Sequence, residues 1–217
     1  MIRLIETADG STSLYHEALN ETYHSRHGAL NESLHVFIRN GLHALGSLDC
    51  SVKVLEVGFG TGLNAFLLYR ELTHHQALKV HYTGLEPFPL EAEILYNIRF
   101  DGIDRDVFKQ LHKPVEGSIS LADGRFTGNV LAVKLDEFKP AETFDLIFFD
   151  AFAPGVQPEL WSDAVMHRMA SMLSPGGIWV SYCAKGSVRR SLQEAGLLVE
   201  RLPGPPYKKH MLRARKA

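Results

Sequence analysis

An α/β fold with a mostly parallel sheet is predicted by three features of the sequence. Short β-branched runs alternate with segments of helical periodicity, Phe144-Asp-Leu-Ile-Phe-Phe149 is apolar on both faces, and residues 52–57 run straight into a glycine-rich turn followed by a helix. Helices that alternate with strands cover both faces of a sheet, and a strand covered on both faces carries a continuous apolar run. The 217 residues, 45% hydrophobic, suffice for one substantial core. We expect an N-terminal extension over residues 1–50, packed on a main domain over residues 51–217.

The elements follow in order. Residues 3–7 and 11–15 flank Asp9-Gly10, a tight-hairpin signal. From about Gly28, Leu30, Leu34, Phe37, Ile38, Leu42 and Leu45 recur at helical spacing on one face. Residues 52–57, 63–72 and 80–85 read as strand, helix and strand, and Pro87 and Pro89 open a helix carrying Leu90, Ile94, Leu95 and Ile98. Within residues 107–128, the Asp123-Gly124 turn predicts an inserted hairpin, after which residues 130–133 resume the sheet. Residues 144–149 form a strand placed mid-sheet, residues 160–173 a helix stopped by Pro175-Gly176-Gly177, and residues 178–182 a further strand. A short helix at 187–195 precedes residues 197–202 and 211–213, which pair as an antiparallel edge across Pro203-Gly-Pro-Pro206.

No apolar run approaches the roughly 20 residues that span a bilayer, and the first six residues lack the apolar centre of a signal peptide. Only Cys50 and Cys183 occur, which excludes a disulfide framework and fits a reducing cytoplasm. The formal net charge of −2 is unevenly spread: residues 185–217 carry nine Lys or Arg and two Glu. That basic C-terminal segment either meets phosphates or solvates a terminal strand.

Glu56-Val-Gly58-Phe-Gly60-Thr61-Gly62 sits where strand becomes helix. Glycines there let the backbone approach a ligand, and the free N–H groups of the helix start favour electron-rich groups. The dinucleotide fingerprint is G-x-G-x-x-G. Here the third glycine comes one residue early, Leu63 holds its place, and Glu56 stands two before the first glycine. A carboxylate at that point suits a cofactor bearing an ammonium better than one bearing a pyrophosphate, so the motif points to S-adenosylmethionine rather than NAD. Glu86, 24 residues beyond Gly62, ends the second strand where a carboxylate accepts both hydrogen bonds of a ribose diol.

Asp150 follows the apolar strand and opens Asp150-Ala-Phe-Ala-Pro154, facing the same crevice. A carboxylate there either orients an amine and takes its proton or caps the next helix. Phe152 is the base-stacking candidate, and Phe59, Phe66, Phe148 and Phe149 read as core. His24, His27 and His35 have no carboxylate or cysteine at ligand spacing, so no metal is expected.

Several segments together resemble the MnmC-type tRNA methyltransferases: Thr7-Ala-Asp-Gly-Ser11, Tyr23-His-Ser25, Gly58-Phe-Gly-Thr-Gly-Leu-Asn64, Gly84-Leu-Glu-Pro87, Phe149-Asp-Ala-Phe-Ala-Pro154, Gln157-Pro-Glu-Leu-Trp161 and Leu202-Pro-Gly-Pro-Pro206. The resemblance implies a Rossmann-like class I S-adenosylmethionine-dependent fold. It also implies methylation of the aminomethyl nitrogen of wobble 5-aminomethyl-2-thiouridine in tRNA. By resemblance, Glu56, Gly58, Gly60, Thr61, Gly62, Asn64 and Glu86 hold the cofactor and Asp150 is catalytic. Where the family places an acidic residue for the adenine region, this chain has Lys134-Leu135 before Asp136, so Asp136 or backbone alone serves there. Tyr207-Lys-Lys-His210 departs from the family's tail, and Phe152, Lys185, Arg189, Lys208 and Lys209 are the substrate-side candidates, with Arg190 beside them on the basic edge. An FAD-dependent oxidase fused in some members finds no room here, so a separate oxidase or upstream wobble-modification enzymes are the expected partners.

Two other function classes stand beside this one: a methyltransferase for a small amine or a protein, and a non-catalytic cofactor-binding protein. The basic C-terminal segment separates the first from the second, and Asp150 beside an intact glycine turn weighs against the last.

Overall fold

The computed structural model describes residues 1–112 and 118–217. Eight strands form one sheet. In chain order its strands are β4 (Ser51–Val57), β5 (Lys79–Leu85), β6 (Ile119–Leu121), β7 (Phe126–Leu131), β8 (Phe144–Phe149), β9 (Leu173–Ser181), β10 (Leu197–Pro203) and β11 (His210–Lys216). Their spatial order is β10-β11-β9-β8-β4-β5-β7-β6. The five inner strands from β9 to β7 run parallel, while β6, β10 and β11 are antiparallel to their neighbours.

The run at β8 lies mid-sheet because successive side chains are buried in opposite layers. Leu146 and Phe148 belong to the core beneath α2 (Leu63–His74), while Ile147 and Phe149 belong to the core beneath α5 (Asp163–Met172) and α6 (Gly186–Glu194). Phe148 meets Phe37 with ring centroids 5.1 Å apart, and Phe149 meets Trp161 at 4.9 Å. Phe37 comes from the first fifty residues, so that segment closes one face of the main sheet.

That segment begins with a small sheet of β1 (Ile2–Glu6), β2 (Thr12–His16) and β3 (Glu21–Thr22). The Asp9 carboxylate ties its turn to the next element, accepting from the Thr7 hydroxyl at 2.7 Å and from the Asn31 N–H at 3.1 Å. The expected helix is broken in three: α1 (Ala29–Ser33), a π-helical stretch (Leu34–Arg39) and a 3₁₀ turn (Leu42–Leu45). Asn40 ends the π stretch by donating its amide to the His35 carbonyl at 2.7 Å. The apolar stripe survives the change, since Phe37, Ile38 and Leu42 are all buried.

Three further expectations are corrected. The Asp123-Gly124 hairpin is not an insertion: its second arm and the strand expected at 130–133 are one strand, β7, paired parallel to β5. Gly128 keeps that pairing close, for a Cβ there would fall 2.0 Å from the Tyr82 carbonyl oxygen. The helix expected from Pro87 starts only at Ala92 (α3, Ala92–Asn97), and Glu86 and Phe88 each precede a proline, which disfavours helical backbone at both. A helix at Arg105–Leu111 (α4), capped by the Asp104 carboxylate, fills part of the stretch read as hairpin.

Candidate active site

The chain leaves β4 toward β5 on one side and returns later to place β8 on the other, so β4 and β8 flank the switch point of the sheet. Such a point opens a crevice beyond the carboxyl ends of the strands. Val57 pairs with Phe149, which sets Gly58 and Asp150 side by side at the crevice floor. A cavity of about 1130 Å³ lies there. It brings together Gly58, Gly60, Thr61, Asn64, Glu86, Asp136, Asp150, Phe152 and Lys208 of the residues expected from sequence.

The three glycines do different work, although all have positive φ: +91° at Gly58, +51° at Gly60 and +72° at Gly62. A Cβ at Gly58 would fall 2.6 Å from the Asp150 carbonyl oxygen, so this glycine allows the two strands to end together. Gly60 donates its N–H to Glu86 Oε2 at 2.8 Å, and Phe88 N–H reaches Oε1 at 3.0 Å. Glu86 is thereby fixed at the cavity rim, and burial raises its carboxyl above the usual range. Gly62 does not line the cavity, contrary to the sequence reading. A Cβ there would meet the His112 ring at 2.7 Å and the Phe59 ring at 2.8 Å, so it serves packing at the start of α2.

Glu56 is corrected in the same way. It is fully buried behind the turn and does not line the cavity. Oε1 accepts from the Asn64 amide at 2.7 Å and Oε2 from the Tyr82 hydroxyl. Burial pushes its carboxyl up to about 8, with the neighbouring Asp150 and Glu86 adding to the rise. At neutral pH Glu56 is therefore mostly an uncharged anchor for Asn64 rather than a direct counter-charge to an ammonium. The same Asn64 amide nitrogen donates to Asp150 Oδ2 at 2.9 Å, which fixes the orientation of that carboxylate.

Asp150 is partly open to the cavity. Its carboxyl is pushed up to about 7, chiefly by desolvation and then by Glu32, against the opposing hydrogen bond of Asn64 and the charge of Lys208. A carboxylate poised near neutrality suits proton acceptance.

Lys208 was expected on the basic outer edge; the structure turns it inward. Its ammonium donates to Glu32 Oε1 at 2.6 Å and lies 4.1 Å from the centroid of the Tyr182 ring. Glu32 is held in turn by the Ser25 N–H, which donates to Oε2 at 2.8 Å. Lys185, Arg189, Arg190 and Lys209 are exposed and outside the cavity lining. Asp136 is exposed at its rim beside buried Leu135. Phe152 meets the Tyr23 ring edge to face at 5.1 Å, and its carbonyl accepts from Trp161 Nε1 at 2.8 Å.

Glu32, Tyr23 and Tyr182 also line the cavity and were not singled out from the residues themselves, and His24, weighed only as a metal ligand, lines it too. Glu32 had a readable signal: it lies on the buried side of α1, near Ala29 and Ser33, where a carboxylate needs a partner. His24 bridges Ser13 Oγ (3.2 Å) and Thr61 Oγ1 (3.3 Å), and burial lowers it to about 4, so it is neutral. His27 instead stacks on Tyr207 and His35 hydrogen-bonds the Pro203 carbonyl, so the three histidines considered from sequence serve different places.

A parallel sheet with this crevice, glycine turn and rim carboxylate defines a nucleotide-cofactor site of the Rossmann-like class I kind. The family described as S-adenosyl-L-methionine-dependent methyltransferase matches residues 104–217, and the chain belongs to that family. Two relatives are named tRNA 5-methylaminomethyl-2-thiouridine biosynthesis bifunctional protein MnmC. That of Chromobacterium violaceum is 29% identical over 206 residues, covering 88% of this chain and 31% of the relative. That of Pseudomonas aeruginosa is 30% identical over 213 residues, covering 90% and 32%. The chain thus spans about a third of the length of these curated relatives. The crystal structure of MNMC2 from Aquifex aeolicus aligns with a TM-score of 0.84 at 28% identity, over 99% of this chain and 70% of that one. Among the described residues, no helix is long and apolar enough to cross a membrane.

Proposed function

We propose that this chain methylates the aminomethyl nitrogen of wobble 5-aminomethyl-2-thiouridine in tRNA, with Asp150 as the proton acceptor. The carrying observation is Asp150 itself: a carboxylate tuned to about 7 and oriented by Asn64, in a cavity shared with the glycine turn. The names of the full-length relatives supply the substrate class.

The residues present fit S-adenosylmethionine. Asn64 Oδ1 is buried without a hydrogen-bond partner among the described residues, an open acceptor for a cofactor donor such as its ammonium. Glu86 is placed for the ribose diol, Gly58 and Gly60 present backbone, and Leu135 with Asp136 bounds the adenine end. When bound, the cofactor supplies a methyl group on a positively charged sulfur. Asp150 would orient the neutral amine and take the proton that the nitrogen sheds once the methyl group has passed to it from the sulfur, the methyl–sulfur bond breaking to leave a neutral thioether. Glu32 raises and Lys208 lowers the proton affinity of that carboxylate, and Phe152 stacks on the base. The amine is provided by an upstream reaction that removes a carboxymethyl group, through an FAD-dependent oxidase or earlier wobble-modification enzymes, and the setting is the cytoplasm.

Lys185, Arg189, Arg190 and Lys209 are the phosphate-contacting candidates: all four are exposed, Lys185 follows the cavity-lining Ala184 and Lys209 follows the cavity-lining Lys208. With a net charge of −2, tRNA affinity has to come from a local patch. Binding therefore weakens steeply with salt, and each lysine-to-alanine change at 185 or 209 that removes a phosphate contact lowers the slope of log affinity against log salt by about 0.7 to 0.9. Lys208→Ala leaves the slope unchanged, because that ammonium is committed to Glu32. A filter-binding salt series on these variants checks this; absence of tRNA binding at low salt supports a small-amine substrate instead.

A further inference from the structure

We propose that His43, Glu71 and His75 form a binding site for a divalent transition-metal ion of the zinc type, outside the active site. His43 Nε2 lies 2.6 Å from Glu71 Oε2, His75 Nε2 lies 3.6 Å from the same oxygen, and one ligand atom from each residue falls within 4.8 Å of the other two. Neighbouring donors around a tetrahedral zinc ion stand roughly 3.3 Å apart, given zinc–ligand distances of about 2.0 to 2.1 Å. The three atoms bracket that separation. All three side chains are partly exposed, which leaves them room to turn toward a shared ion.

The backbone on both sides is fixed. Glu71 and His75 stand four apart at the end of α2, where the His75 N–H closes the last turn on the Glu71 carbonyl at 3.0 Å. His43 is carried by the 3₁₀ turn whose Leu42 is completely buried. Two imidazoles and one carboxylate suit zinc, copper or nickel rather than magnesium or calcium, which prefer oxygen-only shells. A cation at the carboxyl end of α2 is favoured by the helix dipole. The Arg125 guanidinium, bonded to the Leu72 carbonyl at 3.0 Å, is the opposing charge nearby, and it already has acceptors. Water completes the coordination shell.

The ion joins the first fifty residues to α2, whose opposite end carries the glycine turn. Those fifty residues give Tyr23, His24 and Glu32 to the cavity, so the metal is a structural staple for the segment that roofs the active site. It takes no part in the chemistry.

Titration calorimetry of the chelator-treated full chain with zinc sulfate tests the site, with cobalt(II) absorption reporting the coordination geometry. One equivalent is expected to bind and to raise the melting temperature. Loss of an outer-shell partner alone costs a metal site about 10- to 100-fold in affinity. Removing a direct ligand in His43→Ala or His75→Ala is therefore expected to weaken binding at least about tenfold. His74→Ala, an exposed neighbour, leaves binding as in the wild type. Failure of zinc to bind, or affinity equal in wild type, His43→Ala and His75→Ala, would overturn the proposal.

Discussion

Replacing Asp150 by alanine is expected to lower methyl transfer by on the order of a hundredfold or more, while S-adenosylmethionine affinity stays within a few-fold of wild type. The separation follows from position. In the proposed site the cofactor meets the backbone at Gly58 and Gly60, Glu86 and Asn64, whereas the Asp150 side chain hydrogen-bonds only Asn64 of these. The pH dependence has a definite sign. A proton acceptor works only when ionised, and burial raises this carboxyl to about 7, so kcat/KM climbs as pH passes upward through about 7. In Asp150→Asn the inflection near 7 disappears. Single-turnover kinetics with calorimetry on the same preparations separates the two effects. Unchanged turnover in Asp150→Ala removes the carboxylate from the chemistry.

Gly58→Ala is expected to produce a loss of similar size, but in cofactor binding as well as turnover. A methyl group there meets the Asp150 carbonyl oxygen at 2.6 Å and its carbonyl carbon at 3.0 Å, both backbone atoms of the neighbouring strand end. The left-handed φ of +91° adds strain of about 1 to 2 kcal/mol for any residue with a Cβ. Relief requires β4 and β8 to part at the crevice floor. A displacement near 1 Å at a reacting centre costs about a hundredfold in rate. Gly60→Ala is milder, since its Cβ would meet only the edge of the Tyr23 ring at 3.2 Å. Calorimetry on folded Gly58→Ala, verified by circular dichroism, is the check; wild-type cofactor affinity would show that the turn tolerates a side chain.

What the sequence made legible was local. The strand, turn and helix at residues 52–72 announce themselves because β-branched residues, glycines and a helical repeat follow one another without a gap. The central place of β8 follows from its composition alone, and Asp150 from its position just after it. The hairpin around Asp123-Gly124 was also local and visible. That its second arm joins β5 was not, because a tight turn says nothing about the outer partner of its strand. The prolines at 87 and 89 were read as opening a helix, whereas each disfavours helical backbone at the residue before it, Glu86 and Phe88.

The parts of the site that escaped are those made by distant pairs. Lys208 and Glu32 are 176 positions apart, and a count of charges places Lys208 with the basic edge when its partner lies under the cavity roof. Glu56 shows a second limit. Its spacing before the glycines was legible, but only burial beside Tyr82 and Asn64 reveals that it is mostly neutral and anchors another side chain. Gly62, likewise, has the rings of Phe59 and His112 in the space a Cβ would take.

The central claim is tested most directly by incubating the purified chain with S-adenosylmethionine and tRNA bearing 5-aminomethyl-2-thiouridine at the wobble position, then analysing the nucleosides by mass spectrometry. The account predicts conversion of that nucleoside to 5-methylaminomethyl-2-thiouridine by the wild type, with the product strongly reduced in Asp150→Ala. An unmodified wobble nucleoside, from a preparation shown by calorimetry to bind the cofactor, would contradict it.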